Sequence, residues 1–172
     1  SDAVVAMNYS TQTHRREIPL DFEHIYTAIQ FKAGFDCTVE GISINGIRKG
    51  GDYVIGSGWK LDSQTHDYSM DIPSGGLAVT KDGSIGETLL LIPQEIDDDA
   101  AEIVVTYKEN GASVTLRAGL DGVEWKRGKK ITYTLLKESD KKYIYMDLAA
   151  GNVTVTGKKY SGYVFVNGVA RP

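Results

Sequence analysis

Apolar and polar residues alternate through most of the chain from residue 101 onward. Ile103, Val105 and Tyr107 fall on one face of an extended segment, Glu109, Asn110 and Gly111 supply a turn, and Val114, Leu116, Ala118 and Leu120 then alternate with Ser113, Thr115 and Arg117. Two is the side-chain period of a strand, and an Asn-Gly pair accepts the positive φ angles of a tight turn, so the stretch predicts a β-hairpin. The pattern returns in Ile131, Tyr133 and Leu135 against Thr132 and Thr134. It recurs in Val153 and Val155 and, after a turn at Gly157 and Lys158, in Val164 and Val166.

Upstream the pattern is less clean. In DFEHIYTAIQF, Phe22, Ile25, Tyr26 and Ile29 carry a helical spacing, while Ile25, Thr27, Ile29, Phe31, Ala33 and Phe35 fit one face of a strand. The β-branched and aromatic content and the nearby Pro19 favour one long strand. Residues 88–92 form an apolar run of buried-strand length, stopped by Pro93, which has no N–H to give to a ladder. Loops are expected at Arg48, Lys49, Gly50 and Gly51, at Ser74, Gly75 and Gly76, and at Lys81, Asp82 and Gly83. With 19 glycines and many short strands, the expected fold is an all-β antiparallel sandwich with no helix longer than about three turns.

The charged break at residues 136–142 divides the chain into a sandwich over 1–137 and a hairpin over 138–172. That hairpin is either an appendage that packs back on the domain or the start of a following module.

Composition narrows the function. The 172 residues are 41% hydrophobic and 24% charged, enough for a core without metal or disulfide staples, and the net charge of −4 gives no electrostatic basis for binding nucleic acid. Cys37 is the single cysteine, which excludes an internal disulfide and reads as a buried structural thiol. No apolar segment approaches the ~20 residues of a membrane helix. The opening SDAVVAMNYS has neither initiator Met nor signal peptide, so the chain reads as processed or excised, with any export signal or lipid anchor upstream.

Candidate chemistry is sparse. Asp97, Asp98 and Asp99 follow the apolar run but lack the alternating spacing and glycine of a calcium loop, and read as a solvated turn. His14, His24 and His66 are too scattered for a metal cluster, His24 being read as a packed strand residue. No nucleophile elbow, zinc-protease or phosphate-loop motif occurs, so no catalytic, metal or cofactor residues are assigned and an enzyme is not expected. Tyr53, Trp59 and Tyr68 form the one candidate binding group, a platform for a sugar ring. Core packing is the first reading for Trp59 and, more strongly, for Trp125.

Three segments together resemble the fimbrillin-like family of surface proteins from Bacteroides and relatives: LDFEHIYTAIQFK, through Phe22, His24, Ala28 and Phe31; LLLIPQ with Pro93 and Gln94 before the IVVTY strand; and WKRGKKITYTL, through Trp125, Gly128 and Tyr133. The resemblance covers residues 3–137. It implies a transthyretin-like β-sandwich, export as a lipoprotein, and a role as a pilus subunit, tip component or surface adhesin without catalytic residues. The family's amino-terminal half with its lipidated cysteine is not matched, and residues 138–172 fall outside the core pattern. The expected partners are other surface or pilus subunits, joined by β-strand addition through residues 3–9 or 162–167. The alternative is a carbohydrate-binding module of a surface lipoprotein, with glycans as ligands.

Overall fold

A computed structural model describes residues 4–6, 22–138, 141–149, 164–166 and 169–171. In chain order the strands are β1 (Val4–Ala6), β2 (Phe22–His24), β3 (Thr27–Ala33), β4 (Cys37–Ile47), β5 (Gly51–Val54), β6 (Gly58–Leu61), β7 (His66–Ser69), β8 (Leu77–Val79) and β9 (Ser84–Leu91). They continue as β10 (Gln94–Glu95), β11 (Glu102–Glu109), β12 (Ala112–Gly119), β13 (Glu124–Trp125), β14 (Lys130–Glu138), β15 (Lys141–Ala149), β16 (Val164–Val166) and β17 (Val169–Arg171). Among the described residues there is no helix.

Two sheets carry the fold. One has the order β12-β11-β4-β7, with β8 pairing the other end of the long β4; the second runs β15-β14-β3-β9. All of these pairs are antiparallel except β3 with β14. The alternation predicted from sequence places the core: Ile103, Val105 and Tyr107 of β11 and Ile42 and Ile44 of β4 meet Ile29 and Phe31 of β3 and Ile131, Tyr133 and Leu135 of β14, all buried in one cluster. The hairpin β11–β12 turns at Asn110 and Gly111, with φ of 51° and 81°, as a two-residue primed turn requires.

Trp125 fills the core and its indole N–H donates to the Tyr133 hydroxyl at 3.0 Å. Burial pushes the Tyr133 phenol well above its ordinary pKa, and the Trp125 bond offsets this only partly. Across the charged break where the sequence pattern divides the chain, β15 pairs with β14 over its whole length, and Ile144 is buried in the common core.

Several expectations are corrected. The single long strand through residues 22–35 is two strands, β2 and β3, parted at Ile25 and Tyr26. Their carbonyls serve other partners: Ile25 accepts from the Trp59 indole at 2.8 Å and Tyr26 from the Gly128 N–H at 2.9 Å. His24 is exposed on β2 rather than packed, and His66 is exposed at the start of β7. The apolar run ending in Ile92 is not a buried strand: among the described residues β9 lies at a sheet edge, and Leu89 and Leu91 pack on the core while Leu90 is exposed. Trp59 is outside the core, half-exposed on the β5–β6 hairpin. Cys37 is half-buried, its thiol pKa pushed up by burial and then by Asp36. Val164 and Val166 pair with β17; Val153, Val155, Gly157, Lys158, His14 and Pro19 lie outside the described residues.

Candidate functional site

The feature that stands out is the outer edge of β9. Among the described residues, β9 pairs only with β3. The register is Thr27 to Leu91, Ala28 to Leu90 and Ile29 to Leu89. Since the Ala28 N–H points away toward β14, donating to Lys129 at 2.8 Å, Thr27 and Ile29 are the residues whose main chains face β9. Strand groups alternate in direction, so the N–H and C=O of Leu90, between the paired Leu89 and Leu91, point out of the sheet. Gly86, with φ of 66°, sits where the β3–β9 register slips. That left-handed backbone favours glycine, while the Met70 methyl beside it could move aside for a side chain.

This edge lines an open groove of about 620 Å³, whose other walls are Tyr26, Arg48, Lys49 and Tyr68. Gln94 positions that rim. It is buried, and its side-chain amide behaves as a strand partner for Arg48: Oε1 accepts from the Arg48 N–H at 2.9 Å and Nε2 donates to the Arg48 carbonyl at 2.9 Å and to the Ile92 carbonyl at 3.2 Å. The Arg48 guanidinium then meets Asp97 at 3.2 Å, and the Lys49 ammonium lies 5.6 Å from the centre of the Tyr68 ring. Main-chain groups that face outward along an apolar strand, beside a basic and aromatic wall, can take up an extended segment by completing the ladder.

The acidic run next to the groove forms a turn tied to Arg48 through Asp97. Asp97 is largely exposed, and Asp98 Oδ1 accepts from the Ala100 N–H at 2.9 Å while the Asp98 carbonyl accepts from Ala101 at 3.0 Å.

Of the predicted sugar platform, the structure unites two members. Tyr53 and Trp59 are cross-strand partners with ring centres 5.4 Å apart, and Tyr26 adds a third ring 5.3 Å from Trp59. Tyr68 stands apart in the β9 groove, beneath Lys49. Sequence reasoning missed Arg48, hidden in a stretch read only as a loop, and Arg127, whose guanidinium bonds Tyr53 at 3.2 Å and Glu23 at 2.9 Å. No local pattern signals either, because each meets its partners from a distant strand.

The fimbrillin-like family model matches residues 1–157. The chain belongs to the fimbrillin-like family. Comparison with curated proteins finds no match. Among solved structures, a candidate cell adhesion protein from Bacteroides uniformis shares the fold, with a TM-score of 0.51 at 12% identity over 77% of this chain and 53% of that one. A second candidate cell adhesion protein, from Bacteroides ovatus, aligns at 17% identity with a TM-score of 0.49 over 75% and 46%. This fimbrillin-like chain thus spans about half the length of the solved structures it matches. The residues that carry the family resemblance have structural work here: Gln94 clamps Arg48 and pairs with Trp125, Trp125 anchors Tyr133, and Gly128 bonds Tyr26.

Proposed function

We propose that this chain is a non-enzymatic structural or adhesive module of the cell surface, of the fimbrial type, that joins neighbouring subunits by receiving an extended strand along β9. The observation that carries the reading is the outward-facing main chain of Leu90 beside the groove walled by Tyr26, Arg48, Lys49 and Tyr68. Export and a surface location are supported by membership of the fimbrillin-like family. The terminal segments 3–9 and 162–167 are the donor candidates; their described parts pair β1 with β2 and β16 with β17, so donation requires release from those pairings. Residues through β15 belong to the receiving module in this reading, since Ile144 shares its core.

A proline scan of β9 tests it. Proline is tolerated on an edge strand where the lost N–H faces outward, so Leu90→Pro removes a donor for the incoming strand and spares the β3 ladder. Leu89→Pro instead breaks the bond toward Ile29 and destabilises the fold. The expected result is concentration-dependent assembly of the full chain, or capture of a synthetic peptide of residues 160–172, measured by light scattering and by anisotropy and abolished by Leu90→Pro with its melting temperature preserved. A chain that stays monomeric and ignores the peptide, or a folded Leu90→Pro variant that still assembles, would count against strand addition at β9.

A further inference from the structure

We infer that a second cleft, formed by the β5–β6 hairpin against the β13–β14 connection, binds a pyranose sugar. It is lined by Tyr53, Ser57, Trp59, Pro93 and Arg127 together with Gly56 and Gly58 of the hairpin turn, and its volume is about 420 Å³. That is within the range of small-ligand sites. The cleft is distinct from the β9 groove, which is lined by Tyr26, Tyr68 and the β9 edge.

Its aromatic wall is built to hold position. The Trp59 indole N–H donates to the Ile25 carbonyl at 2.8 Å, which fixes the ring's edge against the body of the sandwich. Tyr26 and Tyr53 brace it at centroid distances of 5.3 and 5.4 Å. Trp59 nevertheless stays half-exposed, on a hairpin that belongs to neither main sheet. The turn beyond it is open: Gly56 and Gly58 hold φ of 85° and 90°, and no atom lies within 4 Å of where a side chain at either would begin, so a ligand can approach the backbone.

The polar groups decide the ligand class. The Arg127 guanidinium spends one N–H on the Tyr53 hydroxyl and another on Glu23, and Arg127 and Ser57 both line the cleft. A pyranose ring offers one apolar C–H face and a circumference of hydroxyls, matching a cleft lined by both an aromatic pair, Tyr53 and Trp59, and the polar side chains of Ser57 and Arg127. An inserted peptide side chain would call for a more enclosed apolar pocket. Glu23 balances the Arg127 charge, which favours a neutral hexose over an acidic sugar.

The test uses the full chain on an array of neutral and acidic oligosaccharides, followed by titration of the strongest hit and of N-acetyltryptophanamide as an aromatic probe. Acrylamide quenching reports the Trp59 environment, because Trp125 is buried. The expected result is saturable binding of a neutral glycan that shields a tryptophan from quenching, weakened about tenfold or more by Trp59→Ala and several-fold by Arg127→Gln. Arg127→Gln lies at the rim and keeps the proposal testable if Trp59→Ala unfolds the hairpin. Leu90→Pro should leave glycan binding unchanged, separating this cleft from strand addition. No saturable glycan binding, binding indifferent to both cleft variants, or preference for the aromatic probe would overturn the inference.

Discussion

Replacing Gln94 by Leu removes a side chain that completes the hydrogen bonding of Arg48 from outside the sheet. Three contacts go: Arg48 N–H to Oε1, and Nε2 to the carbonyls of Arg48 and Ile92. A polar group left without a partner in the interior costs about 1–3 kcal/mol, and Arg48 is half-buried, so water recovers part of the loss and the total should be about 2–4 kcal/mol. In a chain of this size each kcal/mol moves the melting temperature by about 2–4 °C, so a loss near 3 kcal/mol lowers it by roughly 6–12 °C. Gln94→Glu sharpens the test. At neutral pH its carboxylate still accepts from the Arg48 N–H but confronts two carbonyl oxygens where Nε2 had donated, and should destabilise at least as much as Leu. A carboxyl in this setting has a raised folded pKa, so its contribution is present below the unfolded value near 4.3 and lost as pH rises through the folded value. Thermal melts of both variants against wild type at each pH should show the Glu deficit shrinking from pH ~7 to ~4.5, as the neutral acid donates to a carbonyl, while the Leu deficit stays constant. A Leu variant within about 0.5 kcal/mol of wild type, or a Glu deficit flat with pH, would refute the clamp.

The β11–β12 register predicts that Leu116→Asp costs about 2–3 kcal/mol by chemical denaturation and Thr115→Asp under about 1, Leu116 being packed on the core and Thr115 exposed; equal costs would place the register one residue out. Burial raises the pKa of Tyr133, Tyr107 and Cys37, so their stabilising contribution is complete below the unfolded values near 9–10 and lost as pH rises above them. The denaturation midpoint should therefore fall from pH ~9 upward, less steeply in Tyr133→Phe. Millimolar calcium should shift the melting temperature by under about 1 °C, since Asp97 already pairs with Arg48 and Asp98 with the Ala100 N–H of its own turn; a rise of several degrees, lost on changing Asp97, Asp98 and Asp99 to Asn, would reveal a metal site.

Where side chains alternate, the order of residues alone determines the local structure. The faces of β11, β12 and β14, the Asn110 and Gly111 turn, the stop at Pro93 and the burial of Trp125 all follow from local rules, because one buried face imposes a period of two and a tight turn demands residues that accept positive φ. Neither the break at Ile25 and Tyr26 nor the exposure of Leu90 is legible in that way. The break depends on Trp59 and Gly128, which are 34 and 102 residues from the carbonyls they bond. An apolar run such as Leu89, Leu90 and Leu91 reads the same whether its strand is central or at an edge, since the neighbour that would cover it is chosen by sheet order. The same holds for the candidate sites: Tyr53 and Trp59 could be paired from sequence, but Arg127, 74 residues from Tyr53, joins them only because the β5–β6 hairpin and the β13–β14 connection meet in space.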